Sequence, residues 1–201
     1  MRRVALGVLA AATLAVGCAD GSDASHSTAS TTLFTDASEP GASEPSVTDT
    51  ESPSTGVTGS PPVGFTTVTV RITDASGEVC EYCVWLADSP VERAQGLMGV
   101  TDLGEPVGMV FRFDELRGGG FWMFQTPTPL SIAWFGAGGG LVGTADMEPC
   151  VVVPDEGCPS YAPDGVYDLA LEVFEGDLAE LGIGPGSRLE IVPGTESSTC
   201  S

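Results

Sequence analysis

No lysine occurs among the 201 residues, and histidine occurs once, at position 26. Seven arginines stand against 28 acidic residues, a formal charge of −21. Each shortage removes a class of chemistry. Without lysine there is no Schiff-base enzyme. A Ser-His-Asp or Cys-His arrangement needs an imidazole beside its nucleophile, and a catalytic zinc site usually draws on histidine. His26 sits in a stretch too polar to fold, so neither is available. Carboxylates, thiols, tyrosines and arginines are what remain. A surface this acidic repels phosphate backbones, which excludes nucleic acid as a partner. The apolar runs all fall short of the ~20 residues that cross a bilayer.

What is present begins with an export signal. Arg2 and Arg3 supply positive charge, and residues 4–16 carry none and are mostly Ala, Val and Leu. The run ends Leu14-Ala15-Val16-Gly17-Cys18, which has the form of a bacterial lipobox, with Cys18 the lipidated residue. Cleavage after residue 17 removes both arginines and takes the charge to −23. Residues 18–62 then read as a disordered linker. Of residues 19–62, 18 are Ser or Thr, 5 are Pro and 7 are acidic. Such a segment cannot bury enough apolar surface to offset its ordering entropy. As a flexible coil it reaches roughly 35–40 Å, a stalk holding a domain clear of the membrane.

The folded part is expected over residues 63–195, followed by a flexible tail, 196–201. Val68, Val70 and Ile72 alternate with Thr67, Thr69 and Arg71, which reads as a half-buried strand. A turn at 74–77 leads to a second strand over 78–87. Ser89-Pro90-Val91-Glu92 has the form of a capping box with proline at the first helical position. It predicts a short helix over 90–95, stopped by Gly96. Strands are expected over 107–113, 121–125, 131–135, 141–147, 166–173 and 188–192. A long loop is expected over 149–165 and a short helix over 177–181. Seven or eight short strands with two short helices make a mainly β (α+β) domain, compact and barrel-like.

Five motifs stand in order along this stretch: Arg93-Ala94-Gln95-Gly96-Leu97-Met98, Gly108-Met109-Val110-Phe111, Phe121-Trp122-Met123, Pro129-Leu130 and Met147-Glu148-Pro149-Cys150. Together they resemble the DUF192 family (UPF0127, COG1430), over roughly residues 66–193. The resemblance implies a small, mainly β, often exported domain, and brings no established activity, cofactor or catalytic residue. After Phe-Trp-Met the family usually carries Lys-Asn-Thr, where this chain has Phe124-Gln125-Thr126. After Pro-Leu it usually carries Asp, where this chain has Ser131. A family site built on that lysine and carboxylate would be lost or altered here.

Several constellations are candidates for binding. Arg93, on the short helix, can anchor an anionic ligand or pair structurally with an acid of a neighbouring strand. Glu172, between Leu171 and Val173, is a candidate partner, and a planar, always-charged guanidinium suits such a pair. Phe121, Trp122 and Phe124, with Tyr161 in the long loop, can form a sugar- or aglycone-binding face. The favoured expectation is that both faces of that strand are buried. Gln125 and Thr126 complete the set.

Cys80 and Cys83 have redox spacing, but they sit in a strand rather than at a helix start, where a thiol pKa is lowered. Cys150 and Cys158 are expected to form a structural disulfide, and Cys200 is left over without an evident partner. Met98, Met109, Met123 and Met147 read as core residues rather than a copper(I) site. Asp102, Asp114, Asp146 and Glu148 are available as carboxylate pairs, but acids are too abundant for availability to single any out.

The reading that follows is a non-enzymatic binding module, lipid-anchored outside the cytoplasm and facing an unknown cell-envelope ligand. Its only membrane partner is the bilayer holding its lipid. No catalytic residue, metal or cofactor is implied. A carboxylate-dependent enzyme acting on a cell-envelope polysaccharide is the alternative, and a thiol-redox or metal-handling lipoprotein a weaker one.

Overall fold

A computed structural model of the chain describes residues 60–151 and 157–200. The expected signal, Cys18, His26 and nearly all of the stalk lie outside the described residues. The fold is mostly β. Strands β1 (Thr66–Thr73), β2 (Val79–Ala87), β3 (Met109–Arg117), β5 (Leu130–Phe135), β6 (Leu141–Met147), β8 (Tyr167–Phe174) and β9 (Arg188–Ile191) form one seven-stranded sheet. Its order is β6-β5-β8-β3-β2-β1-β9. Strands β4 (Phe121–Trp122) and β7 (Ser160–Tyr161) form a separate ribbon. The two helices are α1 (Pro90–Gln95) and α2 (Asp177–Glu180).

The sheet curls without closing. Its outermost strands meet at one corner, where Gly140 bridges Arg188 and the Leu141 amide donates to the Ser187 carbonyl at 3.1 Å. "Barrel-like" therefore describes its curvature only. All neighbouring strands run antiparallel except β2 and β3, which are parallel and joined through α1. That crossover carries α1 and its following loop over one face of the sheet. The capping box forms as the sequence suggests. Ser89 Oγ accepts from the Glu92 amide at 3.2 Å, and Glu92 Oε2 accepts from the Ser89 amide at 2.9 Å. The Ser89 amide, helped by that of Asp88, holds the Glu92 carboxyl below its ordinary pKa. Gly96 ends the helix at φ 48°, with a Cβ position only 3.3 Å from the Phe111 ring. A side chain there would be strained and crowded.

Each face of the sheet carries its own core. One is aliphatic, with Val68, Val70, Ile72, Val84, Val110, Leu171 and Val173 packed under α2 residues such as Leu178. The other is aromatic and sulfur-rich, with Phe111, Trp134, Tyr167, Met109, Met123 and Met147 under the α1 crossover.

Two expectations are corrected here. The strand over 121–125 is only two residues long, because the Thr126 amide turns back to the Met123 carbonyl (2.9 Å) and Gln125 adopts a left-handed φ of 55°. Cys200 is not left over, because it is disulfide-bonded to Cys83, 117 residues away. The end of the chain is tied to β1 as well, through reciprocal backbone bonds between Thr67 and Ser197. Cys150 and Cys158 form the expected bond. With Cys83 joined to Cys200, the Cys80/Cys83 spacing makes no redox pair, and no cysteine among the described residues is free. Disulfides mark an oxidising, extracytoplasmic environment. No helix among the described residues is long and apolar enough to cross a membrane.

Candidate functional site

On the aromatic face, α1, the far end of β3, β4 and the start of β8 enclose a cleft of about 320 Å³. Ala94 and Arg93 of α1 form one side, Phe113 and Arg117 of β3 another. Phe121, Trp122, Phe111 and Tyr167 supply the remaining wall. The rings fix one another by edge contacts. Phe111 meets Phe121 at 5.0 Å and 83°, and Phe113 meets Tyr167 at 5.7 Å and 77°. Such pairs favour this geometry because a ring's positive edge meets its neighbour's negative face. The Tyr167 hydroxyl donates to the Gly119 carbonyl at 3.1 Å. Burial raises its pKa, and the nearby Arg117 partly opposes the rise. Gly120 allows the ribbon to close against the wall, since a Cβ there would fall 2.2 Å from Ser160 Oγ.

A smaller recess of about 40 Å³ shares Arg93, Ala94, Phe111, Phe121 and Trp122 with the cleft, and is further lined by Thr126 and Glu172. It has room for a water or one small polar substituent. Glu172 is 4% exposed. It stands in β8 between Met109 of β3 and Ile132 of β5, and its carboxyl forms no hydrogen bond or ion pair with the described residues. Burial alone pushes its carboxyl pKa up to about 8, so it is chiefly protonated at neutral pH.

The candidate Arg93–Glu172 ion pair is therefore not made. Arg93 Nη1 instead donates to the backbone carbonyls of Asp88 and Arg112, the latter at 2.9 Å, and its guanidinium stands 5.0 Å over the Phe113 ring. Sitting at the end of α1 beside β3, it finds acceptors there before it can reach Glu172. The expectation that the Phe121 strand is buried on both faces also fails. Phe121 and Met123 face the core, but Trp122 is 46% exposed and stacks on Phe124 at 5.3 Å.

Of the six residues read as candidates, Arg93, Trp122, Thr126 and Glu172 line the cleft or its recess. Gln125 and Tyr161 do not. Gln125 is an exposed turn residue whose carbonyl accepts from the Gly99 amide, and the Tyr161 hydroxyl accepts from the Glu148 amide at 3.1 Å. Sequence reasoning missed Phe113, Arg117 and Tyr167. Arg117 was visible only as one of five arginines outside the signal, and nothing local marks it. Ser131, at the altered family position, lies elsewhere and donates to Asp146 at 2.6 Å.

The profile of the DUF192 family, described as an uncharacterized ACR, COG1430, matches residues 71–191. The chain belongs to the DUF192 family. Solved structures similar to it include two of 30% identity. One is a proposed transcription regulator from Sinorhizobium meliloti, 30% identical, with a TM-score of 0.55 over 65% of this chain and 97% of that one. The other is a protein of unknown function from Novosphingobium aromaticivorans, also 30% identical with a TM-score of 0.55, over 65% of this chain and 89% of its own. No curated protein matches the chain. The cleft of this DUF192 chain is lined by two guanidinia and its recess by one buried carboxyl, with no imidazole or amine among them.

Proposed function

We propose that this DUF192 chain is a lipid-anchored, extracytoplasmic binding module that holds a small ring-bearing ligand in the aromatic cleft. The observation that carries the reading is the exposed Trp122 at the edge of a wall of buried rings. Trp122 is not an isolated exposed ring: it stacks on Phe124 and continues the apolar lining of a preformed concavity, as the edge of a ligand site does. The single carboxyl also supports a binder. Hydrolysis through paired carboxylates needs two of them at roughly 5–10 Å, and the described residues lining the cleft and its recess include only one, Glu172 in the recess. The anchor rests on the lipobox at Cys18 and on the disulfides, which suit an exported domain.

The test is a thermal-shift screen of the chain against cell-envelope sugars and peptides, repeated with Trp122→Ala. Stabilisation by a ligand follows its affinity. Stabilisation by at least one compound, lost in the variant, is expected. Stabilisation indifferent to Trp122 would overturn the cleft as the site. For the anchor, Cys18→Ser should release the protein from the membrane fraction, and an equal distribution of both forms would count against lipidation.

A carboxylate-dependent enzyme acting on a cell-envelope polysaccharide is a second reading with one specific observation behind it. Glu172 is protonated near neutrality beside a cleft, as a general acid must be. Turnover of a glycan that disappears in Glu172→Gln would favour it over the binder.

A further inference from the structure

The arginines of the domain fall into two kinds. Arg71 is held by Glu81 at 2.6 Å and by Glu190, and Arg112 is held by Asp88. Arg93 and Arg117 form no ion pair among the described residues, although the chain carries 28 acids. Both stand over the Phe113 ring, at 5.0 and 4.6 Å, so one phenyl group orients two cations at the cleft. Arg93 uses Nη1 on backbone carbonyls, and Arg117 reaches the Gly118 carbonyl at 3.4 Å and the neutral Tyr167 hydroxyl, neither of them a charged partner. Asp114 and Glu115 share a neighbouring depression with Arg117 but do not pair with it. The remaining arginine without an ion pair, Arg188, donates to the Gly138 carbonyl and lines neither the cleft nor its recess. On a protein of charge −21, a cleft with two guanidinia outside any ion pair is where an anion can approach.

Resting on the binding reading above, we propose that the ligand is a hydroxylated ring bearing a carboxylate, its acid group on Arg117 and Arg93 and its ring on the aromatic wall, with a hydroxyl toward Glu172. A guanidinium offers a carboxylate two parallel donors, which fixes orientation as well as charge. The ring finds Phe121, Trp122 and Tyr167. At the recess, the unpartnered Glu172 donates its proton to a ligand hydroxyl or accepts from it. A cleft of about 320 Å³ lies at the small end of the range for such ligands. Two sources share this chemistry, a sugar acid and a hydroxyaryl acid.

The test uses matched pairs and calorimetric titration of the chain. D-glucuronate is compared with D-glucose, and 4-hydroxybenzoate with 4-hydroxybenzyl alcohol. In at least one pair the acid should bind at least tenfold more tightly, and the pair that responds tells the two sources apart. Arg117→Gln should bring acid and neutral partner to within about twofold, while Arg117→Lys keeps most of the preference. Raised salt should weaken the acid selectively. Equal affinity within both pairs, or a preference untouched by Arg117→Gln, overturns the assignment and leaves the cleft reading standing. No binding by any of the four also overturns it, and the cleft reading then rests on the Trp122→Ala screen.

Discussion

The two faces of the seven-stranded sheet are built from different side chains. The aliphatic face is a layer of Val, Leu and Ile from six strands and α2, with only Phe135 among its fully buried members carrying a ring, and an open depression lies at its α2 edge beside Leu178 and Ile183. The aromatic face mixes rings with methionines, buries Glu172 without a partner, and leaves the Trp134 Nε1 donor unsatisfied. Buried polar groups in that state cost free energy. The Cys83–Cys200 and Cys150–Cys158 disulfides belong to the same face. Cys150 is part of its core, and Cys83 shares the strand side of Trp85 and Ala87. One face supplies packing, and the other carries the cleft and is stapled covalently. The difference teaches that stability and site are divided across a single sheet.

The comparison can be broken most forcefully at the staple. Loop-closure entropy gives the Cys83–Cys200 bond, spanning 117 residues, about 5 kcal/mol. Cys83→Ser with Cys200→Ser should lower the denaturation midpoint accordingly, and more than the same double change at Cys150 and Cys158. Equal losses would mean that the long loop is restrained by something else.

The next test isolates the buried acid. Glu172 has a folded pKa of about 8 against an ordinary 4.5. Between those values the folded state holds a proton that the unfolded chain releases, so this group's contribution to stability falls as pH rises through that window. It is fully retained below pH 4.5. Glu172→Gln removes the dependence. The variant should gain roughly 3–4 kcal/mol on wild type between pH 5 and pH 8, by the same linkage. Chemical denaturation of both proteins across that range measures it. A constant difference would mean that Glu172 is charged and paired in the fold.

Leu171→Ala, on the opposite side of the same strand, should cost about 3 kcal/mol at every pH, since it only opens a cavity. Its effect on ligand affinity should be slight, and a large loss of binding would dissolve the division between the faces. The smallest effect is expected at Trp122. Being 46% exposed, it should tolerate alanine within about 1 kcal/mol, while ligand-linked stabilisation vanishes.

The sequence made much of this legible. Alternation in β1 placed Val68, Val70 and Ile72 on one buried face, because side chains in a strand point to opposite sides in turn. The capping box marked the start of α1 to the residue. Local signals reach only so far. The pairing of Cys83 with Cys200 joins residues 117 apart, and no spacing rule connects them. The Arg93–Glu172 pair was a reasonable inference from residue types, but nearer carbonyls claimed the guanidinium. Arg117 became a site residue only when β3 ran on four residues beyond its expected end and met Tyr167.

Composition and pattern by themselves settled the absence of lysine, the strongly acidic charge, the mostly β character and the family. These follow from counts and short-range periodicity, which a chain carries before it folds. The tertiary structure decided which two arginines reach the cleft outside any ion pair, which acid is buried neutral, and which tryptophan remains in water. Those properties depend on how much solvent and which charges surround each group, and that environment exists only once distant strands have come together.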